Sequence, residues 1–107
     1  MNTTQYVFIE GIVLLRRQSN WVKRYACISN STFTYKDSKA SKNVKQTINL
    51  QTAKILLGHD DKQVPYLYIQ KNPFVPEAIR IHSSTDNFNA WIEAAQLGKL
   101  TEEQVLA

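Results

Sequence analysis

Gly11-Ile12-Val13-Leu14-Leu15-Arg16-Arg17-Gln18-Ser19-Asn20-Trp21-Val22-Lys23-Arg24-Tyr25 is the stretch on which the reading of the chain turns. An apolar run climbs into two arginines. A short polar turn, Gln18-Ser19-Asn20, follows, and a second segment opens on a tryptophan and two more cations. β-branched and aromatic residues favour extended backbone, so 6–16 and 21–29 read as the two strands of a hairpin. Its cations gather at the turn, an arrangement suited to gripping an anion at the open end of a sheet.

Outward from the hairpin, the apolar alternation continues. In the first strand Val7, Ile9, Val13 and Leu15 form one apolar set, while Gly11 suggests a bulge or tight bend. In the second, Val22, Arg24, Ala26 and Ile28 should face the core, with Arg24 near the mouth. Asn30-Ser31 turns into a third strand at 32–36, where Phe33 and Tyr35 alternate with threonines. A loop rich in lysine and serine (37–45) leads to short strands at 46–50 and 54–58, and a charged turn (59–63) leads to a sixth strand at 65–71. The connection Asn72-Pro73-Phe74-Val75-Pro76-Glu77 precedes a seventh at 78–83. Seven short strands at near-regular spacing imply an antiparallel sandwich or barrel.

The period then changes. Phe88, Trp91, Ile92 and Ala95 stand at i, i+3, i+4 and i+7, one apolar stripe of a helix. Ser83-Ser84-Thr85-Asp86 offers N-cap oxygens and a first-turn acid, and Gly98 sits where a C′ glycine would end the helix. Thr101-Glu102-Glu103-Gln104 reads as a capping box opening a short final helical turn. The whole of 1–107 is expected to form one domain, with its core at about 6–97 and a helical extension at 98–107.

With 43% apolar and 21% charged residues the chain has a globular composition. The single Cys27 excludes an internal disulfide and fits a reducing compartment. The opening residues lack the features of a secretory leader or a myristoylation site, and no apolar run approaches the roughly 20 residues needed to span a bilayer. The net charge of +4 is unevenly spread. Between positions 16 and 54 nine cations face one acid, Asp37, whereas elsewhere four cations face eight acids. One strongly positive end is therefore expected to seek an anionic partner.

Seven strands closed by one amphipathic helix with a central tryptophan resemble the pleckstrin homology (PH) domain over about 6–97. The hairpin matches that family's opening strands, and Trp91 matches its helix tryptophan. The resemblance implies a mainly β (α+β) fold: a seven-stranded antiparallel barrel or sandwich of two near-orthogonal sheets, one corner plugged by the C-terminal helix. It also implies a positive open end ringed by the first, third and sixth inter-strand loops. Many lipid-binding members carry a lysine late in the first strand and a basic-x-Arg pair in the second. Here the arginine falls on Arg24, its basic partner on Val22, and the first-strand lysine on Leu15. A one-residue bulge near Gly11 would put Arg16 in that last place instead, and both registers stay open. The pattern for a polyphosphorylated inositol head group is incomplete.

The residue types point to binding rather than catalysis. Arg16, Arg17, Lys23 and Arg24 can hold phosphate, and Lys36, Lys39, Lys42 and Lys45 add attraction, each basic residue near an anionic leaflet being worth about 1 kcal/mol. Phe74 and Val75 either dip into the bilayer boundary or pack back over the barrel edge. Trp21 reads as a rim residue, whose indole also suits headgroup level. Neither a metal site nor a cofactor is expected, His59 and His82 being far apart, and no nucleophile elbow or phosphate loop suggests an enzyme.

The expected function is non-catalytic binding of anionic phospholipid, phosphatidic acid or a phosphoinositide. Such binding would give a monomeric cytoplasmic protein peripheral membrane association, as in signalling by membrane recruitment. The alternative is a protein-interaction (adaptor) domain of the same fold, docking a small GTPase or a peptide along a free sheet edge. Nucleic acid is the weakest class, since the basic loops lack interleaved aromatics for stacking bases.

Overall fold

Alternation carries the strands. The computed structural model describes residues 7–100. It holds β1 (Phe8–Arg17), β2 (Asn20–Ser29), β3 (Thr32–Lys36), β4 (Gln46–Asn49), β5 (Lys54–His59), β6 (Pro65–Asn72), β7 (Val75–His82) and one helix, α1 (Phe88–Lys99). All strand pairs are antiparallel, in a single sheet of order β4-β3-β2-β1-β7-β6-β5. The halves β1–β4 and β5–β7 meet through one pair, Leu15↔Ile81. Each half turns its apolar face to the same core: Val13, Ala26, Ile28, Phe33 and Ile48 from one, Leu67, Ile69, Ile79 and Ile81 from the other.

The hairpin register is unbroken. Ten consecutive pairs run from Phe8↔Ser29 to Arg17↔Asn20, so Gly11, opposite Ala26, marks no bulge. The connecting turn shrinks to Gln18-Ser19, with Gln18 in the left-handed region (φ 54°), and Asn20 belongs to β2. Because side chains alternate across a strand, the absence of a bulge keeps Leu15 inward and Arg16 outward.

At the corner, the Leu14 N–H donates to the Thr85 hydroxyl at 3.1 Å, a partner that stands in for a strand where pairing with β7 is confined to one residue. This changes the reading of the helix start. The N-cap is Asn87, in the left-handed conformation (φ 61°), with no side-chain cap and no acid in the first turn. Thr85 is buried and committed to β1.

Helix α1 closes the core with Trp91, Ala94 and Ala95, while Phe88 and Ile92 pack beside them. Trp91 is 2% exposed. Gly98 is inside the helix rather than past its end; the C-cap is Leu100. A Cβ at Gly98 would collide with the Asn30 carbonyl oxygen and stand 2.6 Å from Leu50 Cδ1. The glycine is there because the helix crosses the β2–β3 turn at backbone contact. The Lys99 ammonium donates to the Ala53 carbonyl and ties the helix to the β4–β5 connection. The capping box at 101–104 lies outside the described residues.

Candidate functional site

The alternation of β1 and β2 sorts the hairpin cations between two faces. Arg24 pairs with Val13 on the inward face and Arg17 with Asn20, whereas Lys23 lies opposite Leu14 and Arg16 opposite Trp21 on the outward face. One short sequence run therefore feeds different surroundings.

Arg24 is already engaged. Its Nε lies 3.3 Å from Asp37 Oδ1, and its Nη1 donates to the Lys23 carbonyl at 2.7 Å. The Nε contact is an ion pair without hydrogen-bond geometry, which leaves that buried nitrogen unmatched. Lys45 reaches the other Asp37 oxygen at 3.5 Å. Asp37 is half-exposed, so each pair is worth about 0–1 kcal/mol, an interaction a stronger anion can displace.

Beside this triad is a cavity of about 190 Å³ whose wall is mostly apolar, lined by Ile12, Lys23, Arg24, Tyr25, Asp37 and Lys39 among others. Ile12 is 62% exposed there. The Lys36 ammonium stands 5.7 Å from the centre of the Tyr25 ring, within cation–π range. Burial, then the neighbouring Glu10 carboxylate, pushes the Tyr25 phenol up. The same two causes push the Cys27 thiol up, with Lys36 opposing, so neither group is an activated nucleophile. Loop 37–45 is pinned where Lys45 N–H donates to the Tyr35 carbonyl at 2.8 Å and Ser41 N–H to the Ser38 carbonyl at 3.1 Å. Among the described residues Arg17, Lys23, Lys36, Lys39 and Lys42 make no ion pair.

Arg16 leaves this group. Its guanidinium lies 5.4 Å from the centre of the Trp21 ring, and its Nε donates to the Gln18 carbonyl at 3.0 Å. Trp21 also packs edge-on against His82 (4.8 Å) and tilted to Tyr66 (6.3 Å). His82 Nδ1 accepts from the Ser84 N–H at 3.0 Å, which places the proton of the neutral ring on Nε2. Arg16 and Trp21, with Asp60, Asp61, Tyr66 and Arg80, border a second cavity of about 350 Å³. The last four escaped the sequence reading. The signal was faint: Tyr66 and Tyr68 alternate on β6 opposite His82 and Arg80 on β7, the second face of strands read only for their core.

At the β6–β7 end the strands run further than the two prolines suggest. The six-residue connection is a tight turn at Pro73-Phe74, because Val75 already pairs with Asn72 and opens β7. Asn72 Oδ1 accepts from the Phe74 N–H at 2.8 Å, and the Gln70 side-chain amide donates to the Val75 carbonyl at 2.6 Å. Phe74 is 94% exposed and does not pack back on the barrel edge; Val75 is half-buried.

No family model and no curated protein matches the chain. Solved structures do. The PH domain of human pleckstrin homology domain-containing protein family A member 5 superposes with a TM-score of 0.68 at 16% identity, over 87% of this chain and 77% of that one. The fold is that of a PH domain. The PH domain of human oxysterol binding protein-related protein 11 gives 0.67 at 12% identity, over 94% and 86% of the two chains. The carboxyl-terminal PH domain of pleckstrin gives 0.65 at 17% identity, over 90% and 100%.

The unbroken ladder between β1 and β2 decides the open register at the end of β1. Leu15 is 2% exposed and part of the core. Arg16, opposite Trp21, is on the outward face.

Proposed function

We propose that the protein is a non-catalytic module that binds anionic phospholipid head groups, phosphatidic acid or a phosphoinositide, at the cytosolic surface of a membrane. The PH fold commonly binds lipids or proteins, and fold alone does not choose between them. The observation that carries the reading is that Lys23, Arg24 and Lys39, from β2 and the β3–β4 loop, line one cavity. Arg17, Lys36, Lys42 and Lys45 thicken the positive field around it, and Arg16 adds to it from the outer face. Four cations at a leaflet supply about 4 kcal/mol, a millimolar affinity. Burying one exposed phenylalanine adds about 2 kcal/mol, so Phe74, with Val75 beside it, supplies the anchor that charge alone does not. With Leu15 and Val22 at two of the three pattern positions, one or two phosphate oxygens rather than a polyphosphate are the natural load. Co-sedimentation with vesicles tests this. Enrichment on phosphatidic acid or monophosphorylated inositol lipid over phosphatidylcholine, weakening with salt, is the expected result. Equal partitioning to neutral and acidic vesicles at low salt would overturn it.

Two observations favour a second reading, a protein-interaction domain. Asp37 already occupies Arg24, and Ile12 offers an exposed apolar side chain on the same surface. Retention of a protein partner after Lys23, Arg24 and Lys39 are neutralised would support it.

A further inference from the structure

Strand β5 is an edge of the sheet: β6 lies on one side, and among the described residues no strand lies on the other. Exposed edges are ordinarily blunted by shortness, bulges, prolines or charges in mid-strand. The opposite edge, β4, has four residues, whereas β5 has six, with no proline and an unbroken ladder to β6. The middle of β5 is Leu56-Leu57, 40% and 54% exposed. Leu57 lies on the core face beside Leu67, which is 1% exposed, yet at the margin of the sheet it is left half open. Neighbouring bonds fix which backbone groups of β5 point outward. The Asp60 N–H donates to the Val64 carbonyl at 3.0 Å, so Asp60 turns its backbone toward β6. Pro65 has no N–H for His59, and its carbonyl turns away to accept from the Ser83 N–H at 3.1 Å. Bonded and non-bonded pairs alternate along an antiparallel ladder. Lys54, Leu56 and Gly58 therefore bond to β6, while Ile55, Leu57 and His59 direct their N–H and C=O groups to the free edge. Among the described residues no hydrogen bond reaches those edge groups.

We infer that β5 pairs with β5 of a second copy of this chain, antiparallel about a two-fold axis at Leu57. A two-fold contact must be self-complementary, and this one is. With Leu57 facing Leu57, Ile55 faces His59 of the second copy, and the outward groups of all three residues find partners. The same register sets Lys54 opposite Asp60 of the second copy, twice. Moving the axis to Leu56 would set Lys54 opposite Gly58, and moving it to Gly58 would set Lys54 opposite Lys62, so charge selects Leu57. Asp60 Oδ1 accepts from the Lys62 and Val64 N–H groups, both at 2.9 Å, which fixes the carboxylate at that end of the strand. Arg16 and His82 act on its charge, and Asp61 adds a second negative charge to the turn. On the outer face Leu56 falls beside Gly58 of the second copy. A Cβ at Gly58 would stand 2.6 Å from the Tyr66 ring, so that ring lies across the glycine and offers Leu56 an apolar contact. The expected monomer thus gives way to a dimer that forms with rising concentration, since one strand pair is at the low end of specific interfaces. No residue of β5 belongs to the lipid surface proposed above, so either proposal can fail alone.

The test combines sedimentation velocity with amide hydrogen exchange of the full chain, each in dilute and in concentrated solution. Mass should rise with concentration from one copy and stop at two, because a two-fold contact closes. Protection of the Ile55, Leu57 and His59 amides should rise with it by at least about tenfold, and that of Lys54, Leu56 and Gly58, already bonded to β6, by less. Leu57→Lys sets like charges on the axis and should abolish the dimer. Lys54→Glu should weaken it about tenfold, because the lost contact occurs twice. Both side chains are exposed, and an unchanged spectrum of the core checks that each variant folds. In a Cys27→Ser background, oxidised glutathione should cross-link Leu57→Cys into a dimer and leave Leu56→Cys uncoupled, since only the axial position comes within disulfide reach. A monomer at every concentration, mass that grows past two copies, or cross-linking through Leu56→Cys instead of Leu57→Cys would overturn the proposal.

Discussion

Asp37 stands 3.3 Å from the Arg24 Nε and holds Lys45 on its other oxygen, so the lone acid of the basic segment sits between two of its cations. Asp37→Asn should release both cations. Because the pairs are exposed, stability should change by less than about 1 kcal/mol. Removing one negative charge at the leaflet should raise affinity for acidic vesicles about fivefold, the equivalent of about 1 kcal/mol. Vesicle co-sedimentation and thermal unfolding of the same variant measure the two effects together.

Phe74 is the counterpart test for the apolar share of binding. It touches little of the fold, so Phe74→Ser should alter stability by no more than about 0.5 kcal/mol. Loss of its burial in the bilayer should lower vesicle partitioning by about tenfold or more, an effect that salt does not erase.

Gly98→Ala places a methyl group against the Asn30 carbonyl and Leu50. Backbone cannot yield as a flexible side chain does. Although alanine is the better helix former, the substitution should destabilise by about 2 kcal/mol, seen as a lowered urea midpoint with unchanged slope.

Thr85→Val keeps the shape and removes the acceptor for the Leu14 N–H at the sheet corner. A buried, unmatched donor costs about 1–3 kcal/mol. Thr85→Ser should restore most of the loss, which separates the hydrogen bond from packing; urea unfolding of both variants reads it.

Much of the fold was legible in the alternation. Phe33 and Tyr35 on β3, the hairpin pairing, and the Phe88–Trp91–Ile92–Ala95 stripe all lie where local pattern puts them. Features set by distant neighbours were not legible. Pro76 reads as a strand breaker, yet it lies in β7 where the ladder to β6 shifts register and β1 does not pair, so its missing N–H leaves no gap. Thr85 offers a helix cap in sequence and serves β1 in space; Gly98 looks terminal and is a contact point. In the candidate site, the segment around Arg16 does not reveal that its cavity is shared with Asp60, Asp61 and Arg80. The register at Leu15 depends on an unbroken ladder that a nearby glycine leaves ambiguous.

The β5–β6 turn should leave a signature in acid. The Asp60 carboxyl is held below the usual carboxylate range, first by the Val64 N–H, then by the Lys62 N–H and the charges of His82 and Arg16, with burial opposing. A depressed folded-state pKa means the stabilisation is fully present above the unfolded value, near 3.9 for aspartate, and is lost as pH falls through the folded value. Asp60→Asn should therefore lower stability at neutral pH and flatten its fall in that acidic window, as followed by denaturant midpoints across pH.

The most direct measurement is line broadening of amide signals on adding lipid nanodiscs that contain phosphatidic acid, against discs of phosphatidylcholine alone. Broadening concentrated at Arg17, Lys23, Arg24, Lys36, Lys39 and the Phe74 tip, only with the acidic discs, is the result expected of a basic lipid-binding surface. Equal broadening with both discs, or broadening confined to residues of α1, would contradict it.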